Sequence, residues 1–139
     1  QATENPLYVI DYNSGMNIST GASNYAVSGL LLQTDENGNE KPISFTSQKL
    51  TEAQIHSMPT IEKEAYAVLH ALRQFRDFIL FSKICIYSDH NPLQYLTEAA
   101  PKSSKLMRWT LALQEFDISF HHRRAAQNLP ADCLSRLVL

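Results

Sequence analysis

Near residue 50 the period of the apolar residues changes from two to nearly four, and few folds accommodate that switch in a short chain. Before it, Met16, Ile18 and Thr20 alternate with Asn17 and Ser19, as in a strand with one face inward. The pattern predicts strands over 16–23, 25–33 and 41–47. Asp35-Glu36-Asn37-Gly38-Asn39 separates the last two, and Asn-Gly supplies the positive φ of a tight hairpin turn. After the switch, Ile61, Ala65, Val68, Leu72 and Phe75 recur at spacings of four, three, four and three, which is one stripe of a helix. Ser57 reads as its N-cap, Pro59 suits its first turn, and Glu62 and Glu64 lie where the helix dipole favours acids.

The remaining segments continue the alternation. Residues 83–89 form a β-rich run without polar alternation, which predicts a central strand covered on both faces. Asn91-Pro92 ends it and starts a short helical turn through Tyr95. A second amphipathic helix over 104–115 turns Leu106, Trp109 and Leu113 inward. Phe116, Ile118 and Phe120 then alternate with Asp117, Ser119 and His121 as a fifth strand, and a last helix over 130–136 begins at Pro130. The order β-β-β-α-β-α-β-α implies an α/β fold, a five-stranded mixed sheet flanked by helices.

At 139 residues the chain has the length of one domain, and a 44% hydrophobic fraction is enough for a core. No apolar run reaches the roughly 18 residues that span a bilayer, and no signal-peptide pattern opens the chain. Because Gln1 is not an initiator Met, a fragment or processed product is expected. The formal charge of −2 excludes binding to nucleic acid by bulk positive charge, but not by a local basic strip. Cys85 and Cys133 are too few for a disulfide scaffold and read as buried thiols of an intracellular chain. His121 and His122 with Cys133 fit no usual zinc spacing. Trp109, Tyr87 and Tyr95 read as packing residues.

Three acids stand where apolar residues belong. Glu64 borders the buried stripe of its helix, Asp89 ends the most apolar strand, and Asp132 lies inside Leu129-Pro130-Ala131-Asp132-Cys133-Leu134. Each alone has an ordinary reading: an ion pair with a lysine for Glu64, a turn cap for Asp89, a helix N-terminus for Asp132. Together, burying them unpaired would cost several kcal/mol each, which a hard divalent cation such as Mg²⁺ removes.

A family likeness runs through the same residues in order. Thr20-Gly21-Ala22-Ser23-Asn24-Tyr25-Ala26-Val27-Ser28-Gly29, Pro42-Ile43-Ser44-Phe45-Thr46-Ser47-Gln48-Lys49-Leu50-Thr51, Thr60-Ile61-Glu62-Lys63-Glu64 and Ser88-Asp89-His90-Asn91-Pro92-Leu93 open the series. Arg108-Trp109, Gln114-Glu115-Phe116-Asp117 and Ala131-Asp132-Cys133-Leu134-Ser135-Arg136 complete it. The chain resembles the RNase H domain of gypsy-type LTR retrotransposon polyproteins. The resemblance divides it into a lead-in from the polymerase and connection region over 1–15 and an RNase H-like domain over 16–139.

That resemblance implies hydrolysis of the RNA strand of RNA–DNA hybrids by carboxylates holding two Mg²⁺ ions about 3.5–4 Å apart. It places metal-binding, catalytic acids at Glu64, Asp89 and Asp132, with His122 as the mobile histidine ten residues before the last acid. It also implies that the first strand ends in Thr-Asp-Ala-Ser, its Asp bridging both metals. Here Gly21 occupies that place, so impaired cleavage is expected. Tyr8-Val9-Ile10-Asp11 also reads as a strand ending in an acid, which leaves Asp11 open as an alternative ligand. Lys102, Lys105 and Arg108, spaced by three, and Arg123 beside the two histidines are candidate phosphate contacts. The expected partners are a hybrid or other nucleic acid and the rest of a Pol polyprotein, in cytoplasmic virus-like particles or the nucleus and without a membrane. The other reading is an inactive or host-adopted module that binds nucleic acid or a protein partner.

Overall fold

A computed structural model describes residues 15–122 of the chain. Its five strands form one mixed sheet in the order β3-β2-β1-β4-β5. β1 (Met16–Ala22), β2 (Ala26–Thr34) and β3 (Glu40–Lys49) pair antiparallel in sequence. β4 (Lys83–Ser88) returns parallel to β1, and β5 (Asp117–His122) lies parallel to β4. The β2–β3 turn is built as expected, with Gly38 at φ 83°. Asp35 Oδ1 accepts the backbone N–H groups of Asn37 and Asn39, each at 2.9 Å. Those donors, Asn39 first, hold the half-buried Asp35 carboxyl below the usual carboxylate range.

The helices are α1 (Glu52–Ser57), α2 (Thr60–Gln74), α3 (Arg76–Ile79), α4 (Pro92–Ala99) and α5 (Ser104–Leu113). Ser57 is not the cap of the long helix; it is the last residue of α1, which the hydrophobic pattern does not reveal. The sequence Thr51-x-x-Gln54 makes a reciprocal capping box, with the Thr51 hydroxyl accepting from Gln54 and the Gln54 carbonyl accepting from the Thr51 N–H. That box starts a helix seven residues before Pro59, which is itself the N-cap of α2. The turn expected after Asn91 is a full helix, α4, because the Asn91 side chain caps it and Pro92 fills its first position.

All three longer helices, α2, α4 and α5, pack on one sheet face. There Met16, Ile18, Leu31, Ile84 and Ile86 meet Val68, Leu72, Phe75, Leu96, Leu106 and Leu113. The expectation that the 83–89 strand is covered on both faces is therefore corrected: the helices cover one of them. Its burial alternates, with Ile84, Ile86 and Ser88 buried under the helices and Cys85 and Tyr87 half-buried on the other side. Cys85 is accordingly not the fully buried thiol expected. Cys133 and the last helix over 130–136 lie outside the described residues. Helix and sheet approach closely at Gly29, where an added Cβ would lie 2.7 Å from the Ala71 Cβ. No helix among the described residues is long and apolar enough to cross a membrane.

Candidate active site

The parallel pairing of β1 with β4 sets up the site. Ser19 stands opposite Tyr87, so the chain two residues further along each strand is Gly21 on one side and Asp89 on the other. α2 crosses the same sheet end, and its fifth residue is Glu64. Gly21, Glu64 and Asp89 line one cavity of about 230 Å³, which Ser28 and Phe45 also border. Two of the acids expected to meet therefore do so, beside the glycine. Asp132, Asp11, Arg123 and the side chain of His122 lie outside the described residues; the His122 backbone ends β5 opposite Ser88.

Glu64 is only 5% exposed. Its carboxylate accepts the Ser88 hydroxyl at 3.3 Å and the backbone N–H of Ala22, and His90 Nδ1 stands 3.6 Å from Oε1. Burial is the larger influence and pushes the Glu64 carboxyl above the usual range. His90, Ser88 and Ala22 pull it back, and the nearby Asp89 charge adds to the rise. A raised folded value means that the native state binds the proton more tightly than the unfolded chain. This contribution to stability is complete below the ordinary glutamate range and is lost as pH rises through the raised value. Glu64→Gln should therefore raise the metal-free melting temperature at pH 7 by a few degrees, with the gain disappearing below about pH 4. Thermal unfolding across that range checks it, and an unchanged melting temperature at pH 7 would contradict it.

Ser88 and His90 flank Asp89 in sequence, but only the fold shows that they also hold Glu64. Glu62, expected merely at a helix start, is buried; it accepts Lys105 Nζ at 2.6 Å and the Tyr95 hydroxyl at 3.4 Å. Lys105, expected as a phosphate contact, thus ties α5 to α2, with its ammonium 5.4 Å from the Trp109 ring centre. Lys102 and Arg108 are exposed.

The two carboxylates are hard oxygen donors of the kind Mg²⁺ takes, and a cation would relieve both the desolvation of Glu64 and its repulsion by Asp89. They are nonetheless an incomplete set. Among the described residues no three His, Cys, Asp or Glu side chains converge as a metal-binding group. Gly21 contributes no donor, although a side chain has room there: an added Cβ would lie 3.5 Å from Ser28 Oγ, an ordinary contact.

Comparison with known proteins agrees with this architecture. The chain is 34% identical over 131 residues to the retrovirus-related Pol polyprotein from transposon 297 of Drosophila melanogaster, covering 94% of itself and 12% of that protein. It is 30% identical over 132 residues to the transposon Tf2-3 polyprotein of Schizosaccharomyces pombe, covering 92% of itself and 10% of the relative. It thus spans about a tenth of the length of the polyproteins it matches. Its fold is similar to the foamy viral protease-reverse transcriptase solved with dsDNA, with a TM-score of 0.69 at 23% identity over 87% of this chain and 25% of that one. It is also similar to the RNase H1 of the archaeon Halobacterium salinarum, with a TM-score of 0.54 at 18% identity over 88% and 98% of the two chains. Residues 11–116 match the family described as the RNase H-like domain found in reverse transcriptase, and to that family this chain belongs.

Proposed function

We propose that this domain holds an RNA–DNA hybrid across the sheet end where Glu64 and Asp89 meet, and that its Mg²⁺-dependent hydrolysis of the RNA strand is impaired at Gly21. The observation that carries the reading is the cavity shared by Gly21, Glu64 and Asp89, with a donor-free residue at the place where the family resemblance puts a bridging aspartate. When bound, Mg²⁺ ions supply an activated water and stabilise the leaving oxygen. The chain's own part is to orient the acids: Ser88, His90 and the Ala22 N–H fix the Glu64 carboxylate, and the β1–β4 register brings Asp89 beside it. In this reading Asp132 supplies the further ligand, and His122 assists proton transfer or product release.

Arg108 and Lys102, exposed on and just before α5, and Arg123 serve the hybrid's phosphates. Lys105 serves first by holding α5 in place through Glu62. Incubating the purified chain with labelled hybrid and Mg²⁺ tests both halves: hybrid binding with slow cleavage is expected, and failure to bind hybrid overturns the reading. Arg108→Ala should weaken binding and reduce the slope of log affinity against log salt by about one. An unchanged slope in a binding titration would remove Arg108 from the interface.

A further inference from the structure

Cross-strand pairing sets one hydroxyl directly against the missing side chain. Gly21 on β1 pairs with Ser28 on β2, and a Cβ added at Gly21 would lie 3.5 Å from Ser28 Oγ. The Ser28 hydroxyl thus borders the space that a side chain at position 21 would enter. Alternation explains its direction: the next residue, Gly29, faces Ala71 of α2, so Ser28 turns to the other face of the sheet. Ser28 is half-buried there and lines the same cavity as Glu64 and Asp89.

A second observation marks this cavity as a place for a polar guest. Thr20 also lines it, is only 4% exposed, and its buried Oγ1 has no hydrogen-bond partner among the described residues. Buried hydroxyls are normally satisfied by protein or by water. The volume of about 230 Å³ admits several waters, or a cation that keeps part of its hydration shell. Leu30 and Phe45 give the cavity an apolar wall, which strengthens polar contacts inside it.

We propose that Ser28 stands in for the missing carboxylate, its hydroxyl accepting a hydrogen bond from a water of the divalent cation that Glu64 and Asp89 hold. This rests on the metal-binding part of the reading above. A serine is neutral and sits on the neighbouring strand, so it holds the hydrated ion through water instead of displacing that water. Mg²⁺ suits such a contact because it dehydrates reluctantly, and hydrogen bonds to its shell tune its affinity. The role exists only while position 21 lacks a donor. A carboxylate there binds the ion itself and makes Ser28 redundant, a dependence that a merely structural serine does not have.

Titration with Mn²⁺, which takes the same oxygen donors, tests the assignment without nucleic acid, the free ion being read by electron paramagnetic resonance. Ser28→Ala is expected to weaken Mn²⁺ binding about tenfold in the parent chain and less than about twofold in the Gly21→Asp background. Ser28→Thr should keep the parent's affinity, since the hydroxyl is retained and a β-branched residue suits a strand. Undiminished binding by Ser28→Ala, an equal loss in both backgrounds, or binding only when Asp occupies position 21 overturns the role of Ser28 and leaves the candidate site standing. If neither the parent nor the Gly21→Asp variant binds Mn²⁺, the metal-binding reading falls and the role of Ser28 falls with it.

Discussion

Gly21→Asp is expected to raise Mg²⁺-dependent cleavage of an RNA–DNA hybrid by about a hundredfold or more. One well-placed charge at a reacting centre has an effect of that order in a site shielded from bulk water. The space exists, because a Cβ at this position meets only the Ser28 hydroxyl, at 3.5 Å. The new carboxylate would enter a cavity that already holds Glu64 and Asp89. Without metal it adds a third negative charge beside a carboxyl already pushed up by burial, so the variant should melt lower than the parent in a chelating buffer. Added Mg²⁺ should raise its melting temperature well beyond any rise in the parent. Cleavage and melting thus report on one event by independent means. A variant that gains neither activity nor metal-dependent stability would show that position 21 is not where the missing ligand belongs.

Gly29→Ala should cost about 2–3 kcal/mol of folding stability although it adds a single methyl group. β2 lies against α2 at this point, and the new Cβ would sit 2.7 Å from the Ala71 Cβ, inside any normal contact distance. Neither neighbour can swing aside: Ala71 is fully buried in the last turn of α2, and the Phe75 ring is 3.5 Å from the same position. The helix must move outward, taking Glu64 with it. Restoring the volume with Ala71→Gly should recover part of the loss despite the lower helix propensity of glycine. Chemical denaturation of the two single variants and the double variant gives the coupling directly. Simple additivity would mean that the helix–strand spacing is not what Gly29 provides.

Local pattern accounts for much of what could be read beforehand. The strand alternation, the Asn37-Gly38 turn and the α2 stripe concern residues within a few positions of one another, and each matches a backbone period or a dihedral requirement that tertiary packing reinforces. α1 escaped because it has no buried residue at all; its start is written in the paired hydrogen bonds of Thr51 and Gln54, not in hydrophobicity. The same limit explains the misplaced Ser57 cap. Glu62 and Lys105 are 43 residues apart, and nothing near either one announces their pairing. Lys63, between two acids, looks like a solvent residue until the turn at Asn24 is seen above it.

By itself, the sequence determined the five strands and the long helix α2 in their order along the chain, the acidic identity of Glu64 and Asp89, and the absence of a carboxylate at position 21, because composition and short-range period require no partner. Only the tertiary structure decided that β4 lies parallel to β1 with Ser19 opposite Tyr87, and therefore that Gly21, Glu64 and Asp89 share one cavity. Register is a property of two strands and the helices packed on them. Burial and the charge balance around Glu64 exist only once those distant segments have been brought together.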